Sequence, residues 1–349
     1  MLRQIERLTR PVSAAGPGAA AVAVYADAAD RAFPAADLGF EGVACVDDAA
    51  RAVVLLLDVW EGTGIASVRD WAESILQFVM YMQREDGRFV NFIWDWAGTR
   101  NETGPTSFPG GGFWQARGVR ALAKATLMLD DPRASRGLDR GLAVISEARD
   151  VAADVRSLHA LTAIELLRAE RMPALRGSLA SWADEIASTR QGDVLLDNPV
   201  ETEPHLWGHV QEGVLAEAGV LLERPSLIDV ARRSVLSYIA PLVEGAFDLP
   251  TVQPYGVASV VYSVERLHAV TGDERFGDLT SKARAWFDGR NTAGRPVYDR
   301  DAGRVHDGID NGILNPHSGA ESNIVGAQAL IDDVIRGAAR MIAPVARSA

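Results

Sequence analysis

The chain is poor in cysteine and lysine, and it has no long apolar run. Cys45 is the only cysteine in 349 residues, which excludes an intrachain disulfide and any metal site built from several thiolates. A lone thiol fits a reducing, cytoplasmic setting. It reads first as a small buried hydrophobe, with a nucleophile as the alternative. Lys124 and Lys282 are the only lysines among 35 basic residues, so Schiff-base chemistry has two candidates, both inside predicted helices. No stretch of about 18 apolar residues occurs, so no membrane span is predicted. Positive charge is not in excess either. The net charge of −12 argues against nucleic acid or an anionic membrane as partner, while leaving room for an anion held by local arginines. Arg3, Arg7 and Arg10 before the uncharged residues 11–26 imitate a signal peptide, but Glu6, Gly16, Pro17 and Gly18 favour a structural first helix.

What is present is helical periodicity. Residues 67–82 put Val68, Trp71, Ala72, Ile75, Phe78, Val79 and Met82 on one face, the pattern of an amphipathic outer helix. Residues 226–243 repeat it. Ser67 with Asp70, Ser226 with Asp229 and Thr271 with Glu274 read as capping-box starts. Residues 46–60 and 255–270 are apolar over more of their circumference, which implies burial on several sides. The predicted inner helices start near Val46, Phe113, Asp154, Leu206, Tyr255 and Gly319. The predicted outer helices cover 17–32, 67–83, 134–150, 176–190, 226–243 and 274–288. Short strands are expected only at 88–96 and 296–300. Six inner and six outer helices in alternation make an all-α (α/α)6 toroid, read as one domain over 1–349.

The links alternate in length. Those at 61–66, 130–133, 169–173, 223–225 and 271–273 are short, and most of the opposite set, 84–112, 191–205, 244–254 and 290–318, are long. In a ring of hairpins every long link falls on one rim, at the N-terminal ends of the inner helices, where free N–H groups and the helix dipole favour anions and acceptors. Long polar loops on a rigid frame are where sites are built.

Four constellations occupy that rim. Asp47 and Asp48 begin the first inner helix, with Arg51 one turn on; they suit capping and an i,i+4 ion pair, or general acid/base work on a sugar. The second holds Trp94, Trp96, Glu102 and the run from Phe108 to Gln115. Its three glycines permit close backbone approach, and Trp94, Trp96 and Trp114 are candidate platforms for sugar rings. The glycines lack the Lys-Ser/Thr of a phosphate loop. The third holds Glu201, Glu203, His205, Trp207, His209 and Glu212. His205 and His209, four apart, are expected on one helix face, but the H-E-x-x-H order is absent, so no metal is assigned. The fourth runs from Asp307 to Ser322 and carries Asn315, His317, Ser318 and Glu321, with Gln253 and Tyr255 at the preceding inner start.

The phrases VDDAARAVVLLLDVW, DGRFVNFIWDW, VQPYGVASVV, TGDERFGDLTSKARAWFDGRN and NPHSGAES, in this order, resemble a bacterial family of six-hairpin glycosidase-like proteins that accompanies glycosyltransferases and mannoside phosphorylases. Family phrases such as TDDNARAL, GRFRNFMSYDR, WFLGRN and NQGAEST are their counterparts. The resemblance spans about 40 to 335 and implies an (α/α)6 toroid and a carbohydrate substrate. Two acidic family segments depart here, to Gly111-Gly-Phe-Trp-Gln-Ala-Arg117 and Trp207-Gly-His-Val-Gln211, which implies either an activity shifted to another glycan or an acid supplied from elsewhere, by Glu102 or Glu203.

Together these give a glycan-active enzyme, read as a glycoside hydrolase with two carboxylic acids across the scissile bond. The candidate acids are Asp47, Asp48, Glu203 and Glu321. Arg51, Trp94, Trp96, Glu102, Trp114, His205, Trp207, His209, Gln253, Tyr255 and His317 are candidate substrate ligands. No cofactor or metal is expected, the partner is an oligosaccharide or glycoside, and oligomeric state is left open. The alternatives are a polysaccharide lyase, a sugar epimerase or isomerase on the same frame, and a non-catalytic glycan-binding protein.

Overall fold

The computed structural model describes residues 1–198 and 200–342. Its helices are, in order, α1 (Leu2–Leu8), α2 (Val46–Thr63), α3 (Ala66–Met82), α4 (Gly112–Met128), α5 (Pro132–Glu147), α6 (Ala153–Arg168), α7 (Leu175–Ser188), α8 (Gln211–Leu221), α9 (Pro225–Ser234), α10 (Ala240–Glu244), α11 (Pro254–Thr271), α12 (Glu274–Arg284), α13 (Ala320–Ala329) and α14 (Ile331–Ile342). A π-helical turn, Val235–Ile239, joins α9 and α10 into one rod. Helices α2, α4, α6, α8, α11 and α13 pack side by side, and α13 returns to α2, closing a ring. Outside it lie α3, α5, α7, α9 with α10, α12 and α14. This is the (α/α)6 toroid.

Burial explains the two kinds of helix. On α2, residues Val53, Leu55, Leu56 and Leu57 are consecutive or nearly so, and all are fully buried, because the helix packs on α3, α4, α13 and α14. On α3 only one stripe is buried, Val68, Ala72, Ile75, Leu76, Phe78, Val79 and Met82, while Trp71 is half-buried at its edge. Each fully buried large aliphatic side chain contributes about 1.5–3 kcal/mol.

Five of the inner starts fall within one residue of expectation. The exception is the start near Leu206. Leu206 and Gly208 have φ of 66° and 76°, outside the helical region, so α8 begins only at Gln211. His205 and His209 therefore lie in a loop and share no helix face.

The expected outer helix over 17–32 does not form. Ala20–Val22 pairs antiparallel with Thr9–Pro11, and Tyr25–Ala26 pairs with Ala32–Phe33. Gly16 and Gly18 have φ of 107° and 79°, a turn conformation that breaks a helix. The buried alanines of 19–23 lie flat where the strand crosses α3. The sixth outer position is filled instead by α14, after the last inner helix, with α1 packed on α13. The capping boxes also fail. Neither α3 nor α9 has a side-chain cap, Pro225 standing at the first turn of α9. On α12 the cap is Asp273, whose carboxylate accepts from the Arg275 N–H. The expected loop strands shrink to Phe92–Ile93, paired with Ala44–Cys45, and Tyr298–Asp299, paired with Arg304–Val305. Among the described residues no helix is long and apolar enough to cross a membrane.

Candidate active site

A cavity of about 850 Å³ occupies the axis of the ring. Its α2 wall runs from Asp47 to Asp58, about 16 Å at 1.5 Å per residue. Asp47, Asp48, Arg51, Trp114, Trp207, Tyr255 and Glu321, all expected at the site, line it.

The head of the pit is an ionic cluster drawn from α2, α4 and α13. The Arg51 guanidinium donates to Asp48 Oδ1 at 2.8 Å, to Asp47 Oδ2 at 3.4 Å and, through its other terminal nitrogen, to Glu321. Arg117 donates to Asp47 Oδ2. Asp47 and Asp48 reach this position because Cys45 caps α2, its Sγ accepting from the Asp48 N–H at 3.4 Å. The backbone N–H groups of Val46 and Asp47 are tied to the Asn91 carbonyl (2.8 Å) and side-chain oxygen (3.1 Å). The thiol is thus a buried cap, and burial, with Asp48 beside it, pushes its pKa well up; it is no thiolate nucleophile.

Three carboxyl groups here face two guanidiniums. The surplus negative charge favours a proton on the acid with least water. Asp48, whose side chain is 3% exposed, is that acid. Burial is the largest cause of its rise to about 7; Arg51 opposes it, and Glu321 and Asp47 add to it. Burial acts on Asp47 too, but Arg117 and then Arg51 outweigh it and hold Asp47 below the usual carboxylate range. Glu321 is 37% exposed and opens on the cavity. Neighbouring acids with pKa values pushed apart are what an acid and a base require.

Aromatic rings surround this cluster. Trp207 leans on Phe113, with centroids 5.1 Å apart. Behind it the His205 ring stacks at 4.0 Å and 15°. Burial works against a charge on His205, but hydrogen bonding to Asp154 and the charge of Asp197 prevail and raise its pKa. An imidazolium under an indole is a cation–π support. Asp154 and Asp197 each offer an oxygen near His205, close enough together to be weighed as a metal triad. They face opposite ring nitrogens, at 3.3 and 3.8 Å, an arrangement that suits an imidazolium. Trp114 is held by its indole N–H, shared between the Phe89 and Phe108 carbonyls at 3.1 Å each. The glycine run serves this ring: a Cβ on Gly111 would meet Trp114 at 1.8 Å. Gly111→Ala is therefore expected to swing the indole off the rim and to weaken binding of a ligand that stacks on it, with oligosaccharides as the probe, about two- to tenfold, measured by calorimetry, with little change in melting temperature. An unchanged affinity would remove Trp114 from the site.

Other expected residues lie elsewhere. Trp94 is exposed and Trp96 packs on the core. Glu102 pairs with Arg84 at 3.0 Å on the surface. Glu203 is exposed on the 189–210 link and does not line the pit; the acids at its head meet across the neighbouring α2 and α13, and the opposite wall carries its acids, Glu165 and Glu217, deeper in the cavity. His205 is behind Trp207, and His209 is wholly buried between Asp197 Oδ1 (2.6 Å) and Glu212 Oε1 (3.0 Å). Gln253 precedes α11 as its N-cap residue. His317 lies edge-on to Phe33, which stacks on Tyr25. Tyr25, Asn91, Phe113 and Arg117 line the pit without having been expected as ligands. Tyr25 was hidden by the false first helix. Arg117 and Asn91 were legible only as polar residues beside glycines and aromatics.

At the far end of the inner helices a second polar layer closes the cavity wall. Arg120 holds Glu165 (2.9 and 2.7 Å), and Glu217 accepts from Arg168 and Tyr262, both at 2.6 Å. Both bonds from Arg120 fall on Glu165 Oε1, and Glu165 Oε2 is buried without a partner among the described residues. The trace of this layer in the sequence was single charges set into otherwise apolar helices.

No family model matches the sequence, and no curated protein matches it. Solved structures do. A D-mannose isomerase shares 11% identity over 96% of each chain, with a TM-score of 0.71. A sugar epimerase from a ruminal bacterium shares 11% over 96% of this chain and 95% of that one, TM-score 0.70. A family 76 glycoside hydrolase from a bovine Bacteroides thetaiotaomicron strain shares 9% over 95% of this chain and 76% of that one, TM-score 0.66. The chain has their six-hairpin toroid; at such identities the likeness is one of fold.

Proposed function

We propose that the protein is a glycoside hydrolase in which Asp48 is the general acid and Glu321 the facing carboxylate. The observation that carries this is the head of the pit, where three acids share two arginines and Asp48 is the most buried of the three. Protonated Asp48 donates to the glycosidic oxygen. Glu321, open to the pit, stabilises the oxocarbenium-like transition state and delivers water or forms the covalent intermediate. Asp47, held by Arg117, keeps its charge and sets Arg51. Trp114, Trp207 and Phe113 offer flat apolar faces to sugar rings.

A second reading is a sugar epimerase or isomerase, like the two neighbours so described. It is favoured by the Arg51 cation between two acids, which suits an enediolate intermediate. Among the described residues no histidine lines the pit, and Tyr255, raised to about 12 by burial and by Glu321, is a poor base at neutral pH. Proton NMR in D2O separates the two. Hydrolysis releases a new reducing end without carbon-bound deuterium, whereas epimerisation of mannose or cellobiose places deuterium at C2 and isomerisation places it at C1 of the ketose. Glu321→Gln is expected to lower turnover about 100-fold or more with substrate affinity kept. Carbon-bound deuterium without bond cleavage would replace the hydrolase reading by the second one.

A further inference from the structure

Between the acid cluster and the lower polar layer much of the cavity wall is aliphatic. On α2, α11 and α13 the lining passes from polar to apolar and back: Asp48 and Arg51, then Val54, then Asp58; Tyr255, then Ala258 and Val261, then Glu265; Glu321, then Val325, then Gln328. On α6 Leu158 and Leu161 precede Glu165, while α4 brings Arg117 and Arg120 to the wall. Val54, Leu158, Leu161 and Val325 keep between 4% and 6% exposure, while their neighbours Val53, Leu55, Ala160 and Ile324 have none. They face the void and are not packed away from it. The hydroxyls beside this belt on α11 have committed protons, Ser259 to the Tyr255 carbonyl at 2.9 Å and Tyr262 to Glu217 at 2.6 Å. A sugar ring seated against the α2, α6 and α13 wall would leave its hydroxyls on that side without partners, which is costly. Apolar cavities stay dry and take apolar guests.

We propose that this belt holds the aglycone of the substrate, and that the aglycone is an aliphatic hydrocarbon chain. The sugar then lies on the aromatic rim, the glycosidic oxygen at Asp48, and the chain descends along Val54, Leu158, Leu161 and Val325. From Asp48 to Asp58 the α2 wall rises by about 15 Å, room for a chain of several methylenes. The assignment of the chain as an aglycone rests on the hydrolase reading; the affinity for hydrocarbon does not.

Two series on the full-length protein test it. Ethanol and longer alcohols up to 1-octanol are compared by titration calorimetry. Methyl and octyl glucosides, mannosides and galactosides of both anomers are compared for turnover. Each methylene is expected to tighten binding about fourfold until the belt is filled, and octyl glycosides are expected to show correspondingly lower KM. Val54→Thr and Val325→Thr keep the side-chain shape and place a hydroxyl in the belt. Each is expected to cut the octanol advantage about tenfold with the circular dichroism spectrum unchanged. Octanol binding no tighter than ethanol overturns the proposal, whatever the glycosides do. Glycoside turnover without an octyl advantage overturns it too and leaves the hydrolase reading standing. Octanol binding with no glycoside turned over overturns both the aglycone assignment and the hydrolase reading.

Discussion

Asp48→Asn is expected to lower kcat/KM about 100- to 10,000-fold, the range a general acid supplies, while glycan affinity is retained. Asn keeps the shape and the contact with Arg51 but has no proton to give. The pH profile carries a second signature. With Asp48 as the proposed acid, wild-type activity is expected to decline as pH rises through about 7, and the variant's residual rate to lose that alkaline limb. Stability moves the same way with pH. Between its ordinary 3.8 and about 7, the folded chain holds this proton and the unfolded chain has released it. The contribution of Asp48 to stability therefore falls as pH rises through that window. Asn removes the fall, so the variant's melting temperature is expected to exceed that of wild type at pH 8 and to match it near pH 4. Thermal melts at the two pH values and initial rates on an aryl glycoside read both effects. Wild-type rates in the variant would exclude Asp48 as the acid.

His209→Leu is expected to destabilise the fold by about 3–5 kcal/mol, the cost of removing one member of a buried ion pair. His209 is fully buried, with Asp197 on one ring nitrogen and Glu212 on the other. Burial opposes its charge, but Glu212 and Asp197 prevail and raise it to about 10. Asp197 also accepts from Gln211 Nε2 at 2.6 Å, and its carbonyl takes the Ala153 N–H at 2.8 Å. Glu212 accepts from Ser234 Oγ at 2.7 Å. One cation thus fastens the 189–210 link to the starts of α6 and α8 and to the end of α9. Because the folded pKa lies above the ordinary 6.5, the stabilisation is whole below pH 6.5 and is lost as pH rises toward 10. Urea unfolding at pH 6 and pH 9.5 should show wild type weakening over this range and the variant nearly flat. A variant as stable as wild type at pH 6 would show that the two acids are neutral when buried.

The toroid was legible because periodicity and link length are local properties. Residues 67–82 carry their buried stripe in plain view, and Val46, Phe113, Asp154, Tyr255 and Gly319 mark inner starts through a change from polar loop to apolar run. The segment 17–32 misled because alanine serves a helix and a tightly packed strand alike, and the pairing of Thr9 with Val22 is a tertiary fact. The Asp47, Asp48, Arg51 and Glu321 cluster was legible as four candidates. That one guanidinium joins residues 51 and 321 was not, since it depends on ring closure. His205 and His209 were visible as histidines, but their burial behind the rim follows from the positive φ of Leu206 and Gly208.

Arg51 and Glu321 are 270 positions apart in the chain, and they meet at the seam where α13 joins α2. During synthesis the first five inner helices precede the residue that completes the acid pair. A nascent chain with most of its barrel assembled still lacks the proposed facing carboxylate, so on the proposed mechanism chemistry is expected to switch on only when the last stave is seated. Catalytic onset during refolding is in this sense a clock for closure of the ring, and helix signal regained ahead of activity would time the docking of α13.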